Sequence, residues 1–432
     1  MFLSSASEFK VGFFERKAKA LSGIMKSERI CVVYYLAYYQ RMAGGNRILF
    51  NLITNLPEWI QPIVVFSGDG LAVESFRSAG IDTRVIKTGA NLNEYGKAML
   101  NWSKWTLART AVLELLPYTL EILRLLRAVR ADILHVDSFR GALLAGGAGR
   151  ICGLPVVGHL QGQIPFGGIS KRYFELVTNR IVSVCNSIQG DLSQTAQRKA
   201  VTVYNAVKPA ERGRGIPWLQ GERDRGCAVL ACFASLVPFK GHRHLIHAIE
   251  ILNRRGWAGT LRVVFVGDTP GEYSEYIESL TESIESKGIG NITMTGWTSD
   301  PESFYRTTDV CVLVSVSHET IEYGGETHEV RGNEGFPTTH LEAMSFGIPI
   351  VGTDIAGVKE QVFEGQNGLL VNASDGEAAA NAIEVLLESV EERNRMGREG
   401  LEIVETKFSM AAQVDGTLRI YTELLGVDPC VS

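Results

Sequence analysis

Short apolar runs alternate with longer stretches of mixed polarity through both halves of the chain. The runs are rich in β-branched residues, and enough residues for a helix separate most of them. In the first half they cover residues 30–35, 62–66, 132–136, 155–160 and 180–184. In the second half they cover residues 228–233, 261–266, 291–295, 310–315, 349–352 and 368–371. Buried parallel strands have this composition, so the pattern predicts an α/β protein with two doubly wound domains.

The segments between the predicted strands show helical periodicity, with one exception. Residues 113–129 carry apolar side chains at helical spacing, with Glu121, Arg124 and Arg127 on the opposite face. Residues 208–225 are polar, contain glycine and have no sustained apolar period, which is typical of a linker. We therefore predict one domain over residues 1–207 and a second over residues 226–407, joined by the linker 208–225.

Composition narrows the class of protein. The 432 residues exceed what one core usually organises, and 45% hydrophobic residues are enough to fill two cores. A formal net charge of -5 argues against a nucleic-acid-binding protein, whose surface would normally be basic. Seven cysteines, an odd number scattered from Cys31 to Cys430, do not resemble a disulfide framework. These features predict a soluble enzyme in a reducing, cytoplasmic setting.

Two segments bear on membrane contact. No run of about 18 uncharged apolar residues is present, so no membrane span is predicted. Residues 9–21 mix apolar and basic side chains, and we prefer a loosely packed tail over a short amphipathic helix on an anionic membrane. A second segment could meet a lipid-linked acceptor and so bring the first domain into peripheral contact with the inner face of the membrane, although such residues more often form one amphipathic helix that packs on its own domain. Its members are Lys97, Trp102, Lys104, Trp105, Leu107 and Arg109.

Two carboxylates eight residues apart, Glu334 and Glu342, bracket a predicted turn and helix start. Pro337 suits the first helical position, where no backbone donor is lost. Glu342 lies four residues after Thr338, so it shares that helix face about 6 Å further along the axis, a step that fits the separation of a phosphate from its ribose hydroxyls. Glu334 precedes the helix and lies across its phosphate end. In a bound sugar nucleotide, the hydroxyls of the sugar attached to the diphosphate would lie there. The donors expected to meet a diphosphate are the amides of Phe336, Thr338 and Thr339.

For either glutamate alone, the simpler interpretation is an acid that complements the helix dipole or lies on a solvated face. The whole segment favours a sugar-nucleotide site. The sequence E-G-F-P-x-x-x-L-E-A-M-x-x-G-x-P-I-V, which starts at Glu334, resembles the donor-binding signature of the retaining family 4 glycosyltransferases. Residues 352–360 and 367–371 are similar to the strand, loop and strand that follow in that family, and residues 234–241 are similar to its phosphate loop.

The resemblance covers most of the chain from about residue 228, and a weaker version extends over the first half. It implies the GT-B fold, in which two Rossmann-like domains face each other and a last helix, here within residues 408–432, crosses back to the first domain. Ligands of open α/β sheets bind beyond the carboxyl ends of the strands, so the cleft between the domains is the expected reaction chamber.

The resemblance also implies roles for single residues of the second domain. Lys240 would neutralise diphosphate charge as the leaving group departs, and Gly335 belongs to the donor-binding turn. Ser235 stands where the family usually has arginine, so one expected cation is missing. Trp297 and Thr298 lie in a loop similar to the one that reads the base, although a buried structural tryptophan is an alternative for Trp297.

The first domain supplies two further candidates. Gly44 and Gly45 occupy the place of a glycine turn whose amides approach the donor phosphates, with a plain loop as the alternative. The acceptor-side histidine of many relatives corresponds to Gln161 here. His159, two residues earlier, shares a strand face with that position and is a candidate catalytic residue. A satisfied strand histidine is an equal alternative.

Residues 316–333 crowd two histidines and several glutamates into a segment longer than most relatives need. A metal site is disfavoured because no H-E-x-x-H spacing occurs and enzymes of the GT-B class generally work without a bound metal. We predict a mobile acidic flap over the donor instead.

The predicted function is retaining transfer of a sugar from a UDP- or GDP-linked donor to a hydroxyl of a sugar or lipid-linked acceptor, in polysaccharide or glycoconjugate synthesis. The nucleotide sugar is a substrate, and no cofactor, metal or nucleic acid is implied. Glu334 would orient the donor sugar, Glu342 the ribose, and Lys240 the diphosphate. A nucleotide-sugar 2-epimerase and a non-catalytic sugar-nucleotide-binding subunit remain alternatives, the latter because of Ser235 and Gln161.

Overall fold

The computed structural model describes residues 29–42, 44–93, 103–164, 168–332 and 334–427. Their contacts divide the chain into two compact units. Unit 1 contains the described residues up to His159, residues 168–181, and the described residues from Val414 onward. Unit 2 contains residues 160–165, as far as described, and Val182–Gln413.

The first sheet has seven strands in the order β3-β2-β1-β4-β5-β6-β7, and the strands from β3 to β5 pair in parallel. The strands are β1 Ile30–Leu36, β2 Ile60–Phe66, β3 Asp82–Val85, β4 Ile133–Val136, β5 Val156–Leu160, β6 Arg180–Ser183 and β7 Ala200–Thr202. The helices that alternate with them are α1 Gly44–Thr54, α2 Leu71–Ser78, α3 Ala90–Asn93, α4 Lys104–Thr110, α5 Leu116–Ala128, α6 Phe139–Gly141, α7 Gly147–Ile151, α8 Gly168–Val177 and α9 Gln194–Gln197.

The second sheet has six parallel strands in the order β10-β9-β8-β11-β14-β15, and a separate antiparallel pair joins β12 to β13. The strands are β8 Ala228–Phe233, β9 Leu261–Val266, β10 Ile292–Gly296, β11 Val310–Leu313, β12 His318–Tyr323, β13 Glu326–Arg331, β14 Ile350–Thr353 and β15 Gly368–Val371. The helices are α10 Pro217–Asp224, α11 His242–Arg254, α12 Ser274–Ser286, α13 Pro301–Tyr305, α14 Thr338–Ser345, α15 Gly376–Glu388, α16 Val390–Thr406 and α17 Met410–Leu425.

Strand β8 shows why continuous apolar runs predict these sheets. Leu230 and Cys232 belong to one buried cluster with residues of α11, whereas Val229 and Ala231 belong to another on the opposite face. Successive side chains of a strand point to opposite faces, so a strand covered on both sides must be apolar at every position. Two doubly wound α/β domains are therefore confirmed.

The last helix, α17, supports the predicted return to the first domain, because its residues from Val414 onward group with unit 1. Tyr421 is buried, and its hydroxyl lies 2.8 Å from the hydroxyl of Tyr34 in β1. Among the described residues, none of the helices combines the length and the apolarity needed to cross a membrane.

Several local predictions need correction. The predicted linker 208–225 contains α10, whose buried Leu219 joins the cluster of Val229 and Ala231. A single buried side chain in eight residues leaves no apolar period to detect. The helix predicted over residues 113–129 begins as the π-helical turn Ala111–Leu115 and continues as α5.

Candidate functional site

The order of strands in the second sheet reverses beside β8, since β9 and β10 lie on one side of it and β11, β14 and β15 on the other. Ligands of open α/β sheets bind at such a switch point, beyond the carboxyl ends of the strands. The loop after β8 carries Ser235 and Lys240, and the segment after β11 carries Ser315 and Glu334. The fold of unit 2 therefore places four polar residues at its expected binding edge.

Glu334 is the central charged group of this edge and is only 8% exposed. Its Oε1 forms an ion pair with Lys240 and accepts a hydrogen bond from Ser315 Oγ at 2.8 Å. Burial alone would raise the pKa of Glu334, but the charge of Lys240 and the hydrogen bonds from Lys240 and Ser315 lower it below its ordinary value. Glu334 is thus a buried, ionised carboxylate.

Lys240 reaches Glu334 because the loop before it is tightly folded. Residues Pro238–Lys240 form a short 3-10 turn that ends at Gly241, whose φ is 74°. A Cβ at Gly241 would lie 1.9 Å from Val314 O, so only glycine permits this approach of the loop to the end of β11. Val316 N also donates to Phe239 O at 2.8 Å. The backbone thereby joins the two segments that carry the ion pair.

The start of α14 is held in place by hydrogen bonds from buried polar side chains. Pro337 is the N-cap, with φ −56° and ψ 118°, and the helix begins at Thr338, one residue later than predicted. Gln361 Nε2 donates to Pro337 O at 3.0 Å, and its Oε1 lies 3.2 Å from His340 Nδ1. Burial lowers the pKa of His340 to about 4, so the ring is neutral near pH 7.

Phe336 and Gly335 shape the turn before α14. The ring of Phe336 is buried and lies 5.3 Å from the ring of Tyr204 and 5.4 Å from that of Phe408, between centroids. A Cβ at Gly335 would lie 2.4 Å from Gln161 O, so the backbone passes close to that segment. The Phe336 side chain therefore anchors the turn, while Thr338 and Thr339 are partly exposed at the helix start.

Glu342 lies on the same short helix and is partly buried. Its Oε2 accepts a hydrogen bond from the Tyr305 hydroxyl at 2.9 Å. The two glutamates of the motif are thus each held by a defined donor within unit 2. Neither donor, Ser315 nor Tyr305, was among the sequence predictions. Ser315 ended a predicted strand, which was a usable signal, whereas nothing in the sequence marked Tyr305.

The loop after β10 carries Trp297 and Thr298, whose proposed contact with the base stays a prediction. Trp297 is 69% exposed, so the alternative of a buried structural tryptophan is wrong. Thr298 Oγ1 accepts a hydrogen bond from Asp300 N at 3.0 Å, which orders the loop ahead of α13. Ser235, in the loop after β8, is half-buried, and its amide lies against Gly267, where a Cβ would lie 2.9 Å from Ser235 N.

His159 lies in a different setting, inside unit 1. The residue is 1% exposed, and its Nδ1 lies 3.2 Å from His135 Nε2. His135 Nδ1 in turn lies 2.6 Å from the hydroxyl of Tyr421. Burial lowers the pKa of His159 to about 4. The structure thus places His159 in a buried strand cluster, but its Nε2 has no hydrogen-bond partner among the described residues, so the ring is not the fully satisfied histidine of the alternative. Its catalytic role stays a prediction.

The glycines of unit 1 also differ from the prediction. Gly44 and Gly45 lie in the first turn of α1, whereas the sequence predicted a turn ahead of a helix starting near Asn46. Asn46 Nδ2 donates to Tyr38 O and to Arg41 O, both at 3.0 Å, so the side chain of a helical residue orders the preceding loop.

A regular hairpin, β12–β13, replaces the predicted flap over residues 316–333. Glu319 Oε2 lies 2.7 Å from His244 Nε2 and accepts a hydrogen bond from Ser374 Oγ at 3.0 Å. Tyr323 stacks on His328 with centroids 3.8 Å apart. The Gly-Gly pair between two β-prone runs was the missed signal. Within the described part of the chain, no group of three or more His, Cys, Asp or Glu residues could hold a metal ion.

Comparison with known proteins identifies related chains. Residues 221–402 match the family model described as glycosyl transferases group 1. The chain is 30% identical over 198 residues to D-inositol 3-phosphate glycosyltransferase of Corynebacterium efficiens, which covers 45% of this chain and 42% of that protein. It is 28% identical over 183 residues to the capsular polysaccharide biosynthesis glycosyltransferase CapM of Staphylococcus aureus, with 42% of each protein covered. The match thus spans about two fifths of these relatives.

A solved structure shows the fold over a greater length. The crystal structure of HepE from Anabaena in complex with UDP superposes with a TM-score of 0.73 at 16% identity, covering 91% of this chain and 100% of that one. This likeness establishes the fold of the GT-B glycosyltransferases, with two Rossmann-like domains.

Proposed function

We propose that this chain is a glycosyltransferase, in keeping with the match of residues 221–402 to the group 1 glycosyl transferases. It transfers a sugar from a nucleoside-diphosphate donor to a hydroxyl of a saccharide or lipid-linked acceptor. The observation that carries the proposal is the buried ion pair of Glu334 and Lys240 at the switch point of the second sheet. Removing a charge pair from water costs desolvation free energy, which is offset only where the two charges are well hydrogen-bonded. Here it lies beside a helix start suited to a diphosphate.

The chemistry follows from the charges. Lys240 and the amides of Thr338 and Thr339 would hold the diphosphate, and Glu342 the ribose. Glu334 would accept hydrogen bonds from the donor sugar's hydroxyls. As the bond between the anomeric carbon and the diphosphate oxygen breaks, the acceptor oxygen forms its bond on the same face. This same-face substitution retains the configuration. The acceptor's proton passes to the departing diphosphate oxygen, so no protein base is needed.

The proposed function includes a donor nucleotide, independence from metal ions and a cellular location. UDP- and GDP-sugars are the donors to test, and transfer is expected without a metal ion because Lys240 and the helix start supply positive charge. Polysaccharide or glycoconjugate synthesis suits the proposed acceptors. A cytoplasmic location would keep the six free cysteines of the described residues reduced.

The experiment that tests the function combines each donor with a saccharide or lipid-linked acceptor, followed by ¹H NMR of the anomeric proton, with and without EDTA. Transfer with retention in the wild type and its loss in Glu334→Gln are expected. Conversion of the donor alone into its C2 epimer would identify an epimerase instead. Donor binding by calorimetry without any transfer would identify a non-catalytic subunit.

Peripheral membrane contact is a second part of the proposal, and it concerns unit 1. Helices α4 and α5 with the π-helical turn between them expose a row of apolar side chains, and Trp105 is 86% exposed. We name this row the α4–α5 surface; it consists of Trp105, Leu107, Val112, Leu113, Leu116 and Leu120. Exposed apolar patches of this kind mark interaction sites. The sequence left packing on its own domain as an alternative. One face of α5 does pack in this way, through the buried Tyr118, Ile122, Leu123 and Leu126, and the exposed row lies outside that face.

Charge favours an anionic lipid surface as the partner of the α4–α5 surface. The same helices expose Arg109, Arg124 and Arg127 against a single exposed acid, Glu121. Lys97 and Trp102 of the predicted segment lie outside the described residues, as do residues 9–21, and the side chain of Lys104 is not described.

Co-sedimentation with vesicles tests this contact. The protein is expected to bind phosphatidylglycerol vesicles more than phosphatidylcholine vesicles, and the double variant Trp105→Ala, Leu113→Ala is expected to lose binding. Trp218→Ala, which changes an exposed tryptophan of unit 2, is the matched control. Equal sedimentation of the wild type and the double variant would contradict membrane contact through this surface.

A further inference from the structure

Tyr305 lies at the end of α13, with its hydroxyl against α14. The hydroxyl donates to Glu342 Oε2 at 2.9 Å and makes a longer contact with Thr339 O at 3.5 Å. Thr339 and Glu342 are three residues apart and therefore neighbours on one face of the helix. One hydroxyl thus contacts both the backbone at the helix start and the carboxylate one turn later.

The position of the Tyr305 ring is fixed by aromatic packing. The residue is 2% exposed, and its ring stacks on Phe233 with centroids 3.8 Å apart and an interplanar angle of 22°. Phe346 lies on the ring as well, at 5.4 Å and 16°. Phe233 ends β8 and Phe346 follows α14, so the ring is packed between the two elements that border the site. The hydroxyl therefore has a defined direction.

We infer that Tyr305 is a positioning residue that holds the Glu342 carboxylate toward the ribose diol of the nucleotide. The inference rests on the proposed function, in which Glu342 binds the ribose. A glutamate side chain has several rotatable bonds, and holding it in its binding geometry before the ligand arrives lowers the entropic cost of binding. A carboxylate has about four acceptor positions, so the bond from Tyr305 is compatible with further bonds from a diol.

A purely structural role would predict a different result from a positioning role. Loss of packing around α14 would weaken every nucleotide alike, because the whole helix start would shift. Loss of a positioning hydrogen bond would weaken only ligands that use Glu342. Phenylalanine keeps the ring stack and removes only the hydroxyl, so Tyr305→Phe separates the two roles.

The test measures the Kd of UDP and of 2′,3′-dideoxy-UDP by calorimetry, with the corresponding GDP pair in parallel. For Tyr305→Phe we expect UDP binding to weaken by about three- to tenfold, the usual effect of one hydrogen bond. Binding of the dideoxy analogue should not change. In a Glu342→Gln background the same substitution should have no further effect on UDP, which completes a double-mutant cycle.

The other outcomes overturn the inference in distinguishable ways. Equal weakening of both nucleotides, or unchanged affinity for UDP, would show that Tyr305 does not position Glu342, while the proposed function would stand. If Glu342→Gln left the preference for UDP over its dideoxy analogue intact, Glu342 would not be the ribose ligand. The positioning role of Tyr305 and the ribose role of Glu342 in the proposed function would then both fail.

Tyr34→Phe is the matched control, since it also removes a buried tyrosine hydroxyl, one that lies 2.8 Å from the Tyr421 hydroxyl in unit 1. It should lower thermal stability without changing the preference between the two nucleotides.

Discussion

Each unit of this protein buries a cluster of polar side chains, but the two clusters differ in charge. In unit 1, His159, His135, Tyr421 and Tyr34 form a chain of neutral groups. Burial lowers the pKa of both histidines and raises that of both tyrosines. In unit 2, Glu334 is buried as an ion because Lys240 lies beside it.

The difference separates groups that hold a fold together from groups suited to chemistry. Neutral partners are buried at modest cost, so they tie α17 to β1 and β4 without a net charge, while His159 Nε2 keeps no hydrogen-bond partner among the described residues. An ion pair costs far more to desolvate, and its charges respond strongly to a bound anion. A buried histidine is therefore weaker evidence for a site than a buried ion pair at a switch point.

The largest expected effect comes from removing the Lys240 charge. Lys240→Met should reduce kcat about thirtyfold to a thousandfold, because about 2 to 4 kcal/mol of transition-state stabilisation would be lost. The substitution also leaves the Glu334 carboxylate buried without its cation, so the free energy of unfolding should fall as well. Steady-state kinetics and urea denaturation measure the two effects.

The double variant Lys240→Met, Glu334→Gln is the control that separates them. It removes both charges, so stability should return while activity stays low. Recovery of activity in the double variant would show that the ion pair serves the fold of unit 2 and would remove the contrast with unit 1.

A smaller effect is expected from Glu334→Gln alone. The amide keeps the size of the side chain but loses the charge that orients donor hydroxyls, so kcat should fall about a hundredfold, equivalent to about 2.7 kcal/mol. The Kd for UDP, measured by calorimetry, should stay close to that of the wild type, because UDP lacks the transferred sugar that Glu334 is proposed to contact. Weaker UDP binding together with unchanged kcat would reverse the proposed roles of Glu334 and the helix start.

The smallest of the three effects concerns stability against pH in unit 1. The pKa of His159 is about 4 in the folded chain and about 6.5 in the unfolded chain. As the pH falls, the unfolded chain therefore protonates this ring at a higher pH than the folded chain does. Its contribution to stability is complete above pH 6.5 and is lost as the pH falls toward 4. Between pH 7.5 and pH 5 this amounts to about 2 kcal/mol.

Urea unfolding at both pH values measures the effect. His159→Gln should reduce the pH dependence by that amount, and His135, whose pKa burial also lowers, should contribute in the same direction. An unaltered pH dependence in His159→Gln would mean that the ring is accessible to protons in the folded chain.

The sequence alone determined the strands that are buried on both faces and the contiguous part of the site. Such strands are apolar at every position, so runs such as residues 228–233 are visible without a structure. Strands β3 and β7 were missed because they are short edge strands with partly exposed side chains, and β12–β13 because its polar face resembles a loop. The motif from Glu334 to Glu342 was readable because one turn and one helix carry it.

The groups that hold that motif, and the burial of His159, depend on contacts between distant parts of the chain. Ser315 lies 19 residues from Glu334, Tyr305 lies 37 from Glu342, and Gln361 lies 21 from His340. Local periodicity carries no information about such pairs, because sheet order and loop path set their distances. The same reason explains His159: its strand face was predictable, but its ring contacts His135, whose other nitrogen contacts Tyr421 of α17, more than 250 residues later in the chain.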